Sequence, residues 1–120
     1  NPQGLRLEFF LAEDGTVVCP AVIPDNFEGH PGFLHGGIIA TLLDETMSKA
    51  VRARGITAMT RHMEVDYKRP VPSSVEIRME GRIVRDEGRK HWVEATIFGG
   101  DGHALAQGNG LFIEVRPKTA

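Results

Sequence analysis

"HPGFLHGGIIATLLDE", His30 to Glu45, holds the entry and first turns of the one stretch that reads convincingly as a helix, and the fold follows from the composition of that helix. Its periodicity predicts a helix from Gly36 to Arg54, with Gly55 where a left-handed terminating residue is preferred. At about 100° per residue, Ile38, Ile39, Leu42, Leu43, Met47, Ala50 and Val51 form one broad apolar arc. Thr41, Asp44, Glu45, Ser48 and Lys49 occupy the rest. Asp44 lies on one border of the arc beside Ser48, and Glu45 on the opposite border beside Lys49. The two acids are neighbours in sequence but face different surroundings.

On either side of this helix the segments read as strands. "LRLEFFLAED", "GTVVCPAVI", "AMTRHMEVDYKRP", "SVEIRMEGRIVR", "RKHWVEATIFG" and "HALAQGNGLFIEV" are β-branched, aromatic or alternating, and turn residues separate most of them. In the fourth, Val75, Ile77, Met79 and Ile83 share one parity and Glu76, Arg78, Glu80 and Arg82 the other, as a half-solvated antiparallel strand requires. "RDEGRK" and "GGDGH" suit hairpin turns. In the last strand Ala104, Ala106, Gly108 and Gly110 put small residues on one face, where another element can approach closely. One amphipathic helix among six mostly antiparallel strands predicts an α+β domain whose sheet wraps the helix.

The totals are consistent with one such domain over residues 1–120. A chain of 120 residues with 41% hydrophobic content buries one core but not two. With 14 Lys and Arg against 16 Asp and Glu, no broad field attracts nucleic acid or an anionic membrane, so any bound anion must meet a local cluster. The single Cys19 forms no internal disulfide, which fits a reducing compartment, by default the cytoplasm. The longest apolar run, "GGIIATLL", is far short of the roughly 20 residues that span a bilayer, and no signal pattern opens the chain. Residue 1 is Asn rather than Met, which leaves room for a trimmed segment.

Glycines at a helix entry leave backbone N–H groups bare at the positive end of the helix dipole, where a carbonyl oxygen gaining charge can be held. A plainer reading gives Gly36 and Gly37 only a tight turn or close packing, and makes Asp44 an ordinary solvated acid. Distance sharpens the choice. Gly36 and Asp44 are eight residues apart, so they stand about 12 Å apart along the axis. If one carbonyl is to use both, the second group must come from another copy of the helix, most simply across a twofold axis.

"HGG" with an acid nine residues after its His, then a strand ending "DYKRPVP" and a later "EGRK", resembles the hotdog-fold acyl-CoA thioesterases. The resemblance is closest to the phenylacetate-pathway type and the thioesterase superfamily member 4-like branch, whose "F-x-G-x-P-G-x-x-H-G-G" pattern is similar to "FEGHPGFLHGG". It runs in order from Asn26 to Val115. It implies a hotdog fold, a six-stranded antiparallel sheet wrapped around one long helix, with subunits paired through a continuous sheet as homodimers or homotetramers. Carried over by position, the Gly36 amide binds the thioester oxygen and Asp44 of the other subunit is the catalytic carboxylate. It acts either by attacking the thioester or by activating water. His35 shapes the loop, and Ser48 matches a hydroxyl that helps orient water. Many relatives carry Asn or Gln where this chain has Gly29, leaving His30 or Glu28 as substitutes.

Coenzyme A needs cations for its phosphates, and Lys68, Arg69, Arg89 and Lys90 lie in two edge or turn segments that could supply them. Each is equally well read as a solubilising residue at a hairpin end. Gly37, Arg61, His62 and Tyr67 are further candidates for lining the pocket. His91 and His103 lack metal-ligand spacing. Trp92, Met47, Met59 and Met63 are expected in the core. The expected activity is hydrolysis of an acyl-CoA, which needs no metal or redox cofactor, coenzyme A being part of the substrate. The rival expectation is a non-catalytic module that binds acyl-CoA as a sensor or carrier.

Overall fold

Burial alternates residue by residue along the strands. In Lys90–Phe98, His91, Val93, Ala95 and Ile97 are buried while Trp92, Glu94 and Thr96 are only partly covered. The computed structural model describes residues 5–115. Its strands are β1 (Phe10–Leu11), β2 (Val17–Val22), β3 (Ala58–Tyr67), β4 (Glu76–Glu87), β5 (Lys90–Phe98) and β6 (Ala104–Glu114). A single 3-10 turn, Asp25–Phe27, precedes the helix α1 (Gly36–Ala53). All paired neighbours are antiparallel in the order β1-β2-β4-β5-β6-β3. The chain therefore leaves β2 near one edge, crosses one face as α1, and returns as β3 on the opposite edge. Hairpins at Gly88 and Gly102, both with positive φ, join the central strands.

The apolar arc of α1 supplies the core. Ile39, Leu42, Leu43, Met47, Ala50 and Val51 are buried against Ile77, Met79, Val93, Ile97 and Phe112 of the sheet. Each of these side chains larger than Ala50 contributes about 1.5–3 kcal/mol when fully buried. The small face of β6 is where the helix comes nearest. A Cβ on Gly108 would stand 3.3 Å from Leu43 Cβ, and one on Gly110 would stand 3.2 Å from Met47 Sδ. Beyond Ala53, Gly55 at φ 76° ends the helix as its position predicts.

Several expectations need correction. The first segment forms a ladder only at Phe10–Leu11, although Leu5 is buried in the core. Trp92 lies on the sheet face away from the helix, beneath the Arg85 guanidinium at 4.3 Å, because its parity opposes that of buried Val93. Met59 is 67% exposed on the free edge strand, while Met47 is buried and Met63 packs partly against the core. Cys19 is fully buried, and that burial pushes its thiol up to about 11, so it is an inert core residue. No helix among the described residues is long and apolar enough to cross a membrane.

Candidate active site

His35 is the N-cap of α1, with extended backbone at φ −76° and ψ 156°. Its carbonyl accepts from the N–H groups of Ile38 at 3.1 Å and Ile39 at 3.2 Å, and its Nδ1 also accepts from Ile38 at 3.3 Å. Accepting at Nδ1 leaves the ring proton on Nε2. These bonds use two of the helix's orphan donors. The N–H groups of Gly36 and Gly37 have no acceptor among the described residues. His35 thus caps the helix in a way that leaves the glycine amides bare.

The loop before the cap is tied at both ends. Gly29 N–H donates to Phe33 O at 2.9 Å, Leu34 N–H to Val71 O at 2.9 Å and His35 N–H to Phe27 O at 3.2 Å. A Cβ on Gly29 would come within 2.9 Å of His35 Cβ, so the loop in this form has no room for Asn or Gln there. Of the two substitutes, Glu28 is engaged by the Ser73 hydroxyl, whereas His30 faces the cleft beside the glycines.

That cleft has a volume of about 540 Å³ and is walled by Phe33, Leu34, Ile39, Pro70 and Val71, with Gly36, Tyr67, Lys68 and Arg69 at its rim. Tyr67, at the end of β3, donates its hydroxyl to Gly36 O at 3.1 Å and so ties the helix entrance to the edge strand. Lys68 pairs with Asp66 at 3.2 Å. The N–H groups of Lys68 and Arg69 both donate to Leu105 O at 2.9 Å, which fixes the backbone from which the two cations project.

Asp44 is half-buried, and its Oδ1 accepts the hydroxyl of Thr60 at 2.8 Å. Thr60 is the residue that sequence reasoning missed. Between Thr60 and His62 the β3–β6 register slips, leaving Arg61 as a bulge. The slip changes the parity of the strand. Met63, Val65 and Tyr67 face the helix on one side of the bulge, and so do Thr60 and Ala58 on the other. Simple alternation would put Thr60 on the far face with His62 and Glu64. Nothing in the letters around Arg61, neither Gly nor Pro, announces the slip.

Other expected site residues are placed differently. Ser48 makes no bond to Asp44; it lines a separate cavity of about 80 Å³ with Val51, Arg52 and Phe112. The hydroxyl bonded to Asp44 is that of Thr60. His62 bonds Glu64 at 3.3 Å on the face away from the helix, because the bulge turns it there, and lines no part of the cleft. Arg61 is exposed on the free edge. Glu45 meets Lys49 at 4.0 Å, as its border position predicts. Arg89 donates twice to Glu114 O, at 3.2 and 2.8 Å, and Lys90 opens β5. Lys90 stands level with Ile113 and Met59, at the opposite end of the sheet from Lys68. Within one chain the two basic segments are therefore roughly 27 Å apart, about eight strand steps.

A single chain thus divides its chemistry. One end of β3 carries bare amides, an apolar cleft and two cations, and the other carries a carboxylate held by a hydroxyl. Residues 31–106 match the family described as the Thioesterase superfamily. The acyl-coenzyme A thioesterase THEM4 of Rattus norvegicus is 34% identical over 119 residues, a match covering 96% of this chain and 51% of that protein. The chain spans about half the length of the curated relatives it matches. A solved thioesterase superfamily protein superposes with a TM-score of 0.86 at 29% identity, covering 89% of this chain and 53% of the other. The smu.793 protein of Streptococcus mutans, solved bound to acetyl CoA, superposes with a TM-score of 0.85 at 21% identity, covering 96% and 93%. At that identity the likeness speaks for the fold alone.

Proposed function

Since the chain belongs to the thioesterase superfamily, we propose that it is an acyl-CoA thioesterase whose sites form between two copies of the chain. The observation that carries this reading is the helix entrance. Two successive amides, at Gly36 and Gly37, have no acceptor among the described residues, and Gly36 lines an apolar cleft rimmed by Lys68 and Arg69. The cleft suits an acyl chain or the pantetheine arm, the cations suit phosphates, and the amides suit a thioester oxygen that gains charge as it is attacked.

The carboxylate that completes the reaction is Asp44 of the other copy. Thr60 holds one of its oxygens, leaving the second to take a proton from water as that water adds to the thioester carbon. Collapse of the tetrahedral intermediate breaks the carbon–sulfur bond, and the proton passes to the departing thiolate of coenzyme A. The products are a carboxylic acid and the free thiol. No step calls for a metal or redox cofactor. The lone, buried Cys19 supports a reducing setting such as the cytoplasm.

Release of thiol from a panel of aryl, medium-chain and long-chain acyl-CoAs tests the reading, with Asp44→Ala as the control. Turnover of at least one thioester that is lost in the variant is the expected result. Folded protein that binds acyl-CoA yet releases no thiol from any of them would leave the sensor or carrier reading in its place.

A further inference from the structure

The free edge of β3 carries two markers of the divided site. Thr60 is bonded to Asp44, and Tyr67 is bonded to Gly36. Both face the helix only because Arg61 is bulged between them. This parity restricts how a second copy can pair. Residues directly opposite in an antiparallel ladder lie on the same face, so Met63 cannot oppose Glu64 of the partner subunit. The remaining choices centre the twofold axis on one residue facing itself.

We propose that this residue is Glu64. With Glu64 opposite Glu64 of the partner subunit, Met63 meets Val65 of the partner subunit and His62 meets Asp66 of the partner subunit. The bulge then places Thr60 beside Tyr67 of the partner subunit. Asp44 of one chain thereby stands at the bare amides of the other. Moving the axis to Met63 would place Thr60 beside Val65 of the partner subunit and shift Asp44 by about 7 Å along the strand, two residues, away from those amides. The Glu64 pair is a like-charge contact between exposed side chains, where water screens it; each Glu64 keeps its 3.3 Å hydrogen bond with its own His62, which gains Asp66 of the partner subunit as a neighbour.

The same register also shortens the backbone distance between the two basic segments. Lys90 is two strands from Met59, and Met59 falls beside Lys68 of the partner subunit. At about 4.8 Å per strand, one chain's Arg89–Lys90 segment and the other's Lys68–Arg69 segment then lie roughly 14 Å apart instead of roughly 27 Å. Each site takes Gly36, Tyr67, Lys68 and Arg69 from one copy and Asp44 and Thr60 from the other, while Lys90, on the far face of the sheet with Trp92, borders it across the edge. This rests on the shared-site reading above and deepens it by naming the register.

Cysteine cross-linking reads the register without reference to activity. Residues opposite each other in the ladder have Cα atoms about 4.5–5.5 Å apart, within disulfide reach. Under mild oxidation Glu64→Cys should link to itself, and His62→Cys should link to Asp66→Cys in mixed dimers, while buried Cys19 leaves the wild type unlinked. Linkage of His62→Cys to Glu64→Cys would move the axis to Met63 and overturn the proposal. A dimer that links through none of these pairs would overturn it too. Thiol release measured on the same samples separates the two ideas: an active enzyme with another register keeps the thioesterase reading, and an inactive dimer with the expected links keeps the register.

Discussion

The two ends of α1 meet opposite surroundings. At its C-terminal end Arg54 reaches Asp86 at 2.9 Å, Asp86 bonds His91 Nδ1 at 2.6 Å, and His91 Nε2 meets Glu114 at 3.1 Å. The ring of His91 is buried with a carboxylate on each side, so helix, hairpin and last strand are clasped together. At the N-terminal end the backbone amides of Gly36 and Gly37 have no acceptor among the described residues, and the adjoining cleft is open and apolar. The polar groups of this clasp are spent on one another. The N-terminal end leaves its donors unspent, the condition for binding something the chain itself does not provide.

If that contrast is right, substitutions at the Asp44–Gly36 site should cost turnover and spare the fold. Asp44→Ala should lower kcat by about 10²–10⁴-fold, the usual worth of a positioned base, with the thermal midpoint nearly unchanged. Glu45→Ala should be far milder, because its carboxylate only meets Lys49 on the other border of the helix. Essential Glu45 with dispensable Asp44 would reverse the assignment. Gly36→Pro removes a proposed oxyanion donor at a first-turn position where proline is tolerated, and should inactivate with a helix still formed.

These two inactive chains sharpen the contrast further. In a mixed dimer one site joins both defects, and the other joins an intact Gly36 to an intact Asp44. Equal random mixing makes about half the dimers mixed, each with one good site of two, so roughly a quarter of wild-type activity should return. Hydrolysis after co-refolding, with each variant alone as a control, measures it. No recovery in demonstrated mixed dimers would confine the site to one chain.

Much of this was legible in the letters because it depended on periodicity. The apolar arc from Ile38 to Val51, the stop at Gly55 and the small face of β6 each follow from one local rule, and the ends of the helix and of every strand but β1 fall within a few residues of expectation. The opposite placement of Asp44 and Glu45 was legible for the same reason. What escaped was whatever needed two distant segments at once. Thr60 meets Asp44 only through a bulge that no residue type marks. The clasp on His91 draws Asp86, Glu114 and Arg54 from three elements, so its local spacing carries no signal. Ser48, one turn along the helix from Asp44, matches a family hydroxyl by position, but the hydroxyl bonded to Asp44 comes from the distant Thr60.

The clasped end should behave in the opposite way when broken. His91→Leu keeps the buried volume but leaves Asp86 and Glu114 without their shared partner, and should destabilise the fold by about 1–3 kcal/mol. Chemical denaturation measures the loss. Turnover of the folded fraction should change little at moderate temperature, since the clasp lies away from the proposed chemistry. A loss of kcat larger than the loss of folded protein would mean that the two ends of the helix are coupled.

The smallest expected effect is acid sensitivity at the same clasp. The bond from His91, and after it the bond from Arg54, holds the Asp86 carboxyl below its ordinary value. A carboxylate whose folded pKa is depressed contributes stability that is fully present above the unfolded value, about 3.9, and is lost as pH falls through the folded one. Stability should therefore decline below about pH 4, and Asp86→Asn should flatten part of that decline. Asp14 and Asp101, lowered by bonds from the Thr16 and His103 backbones in exposed turns, share the direction and remain in the variant. Asp86 is 43% exposed, so water screens its pairing and the difference should stay below about 1 kcal/mol. Denaturation midpoints at pH 7 and pH 3 for both proteins measure it. A gap between the two pH values as wide in Asp86→Asn as in the wild type would show that the clasp owes its strength to packing around His91 rather than to the charge of Asp86.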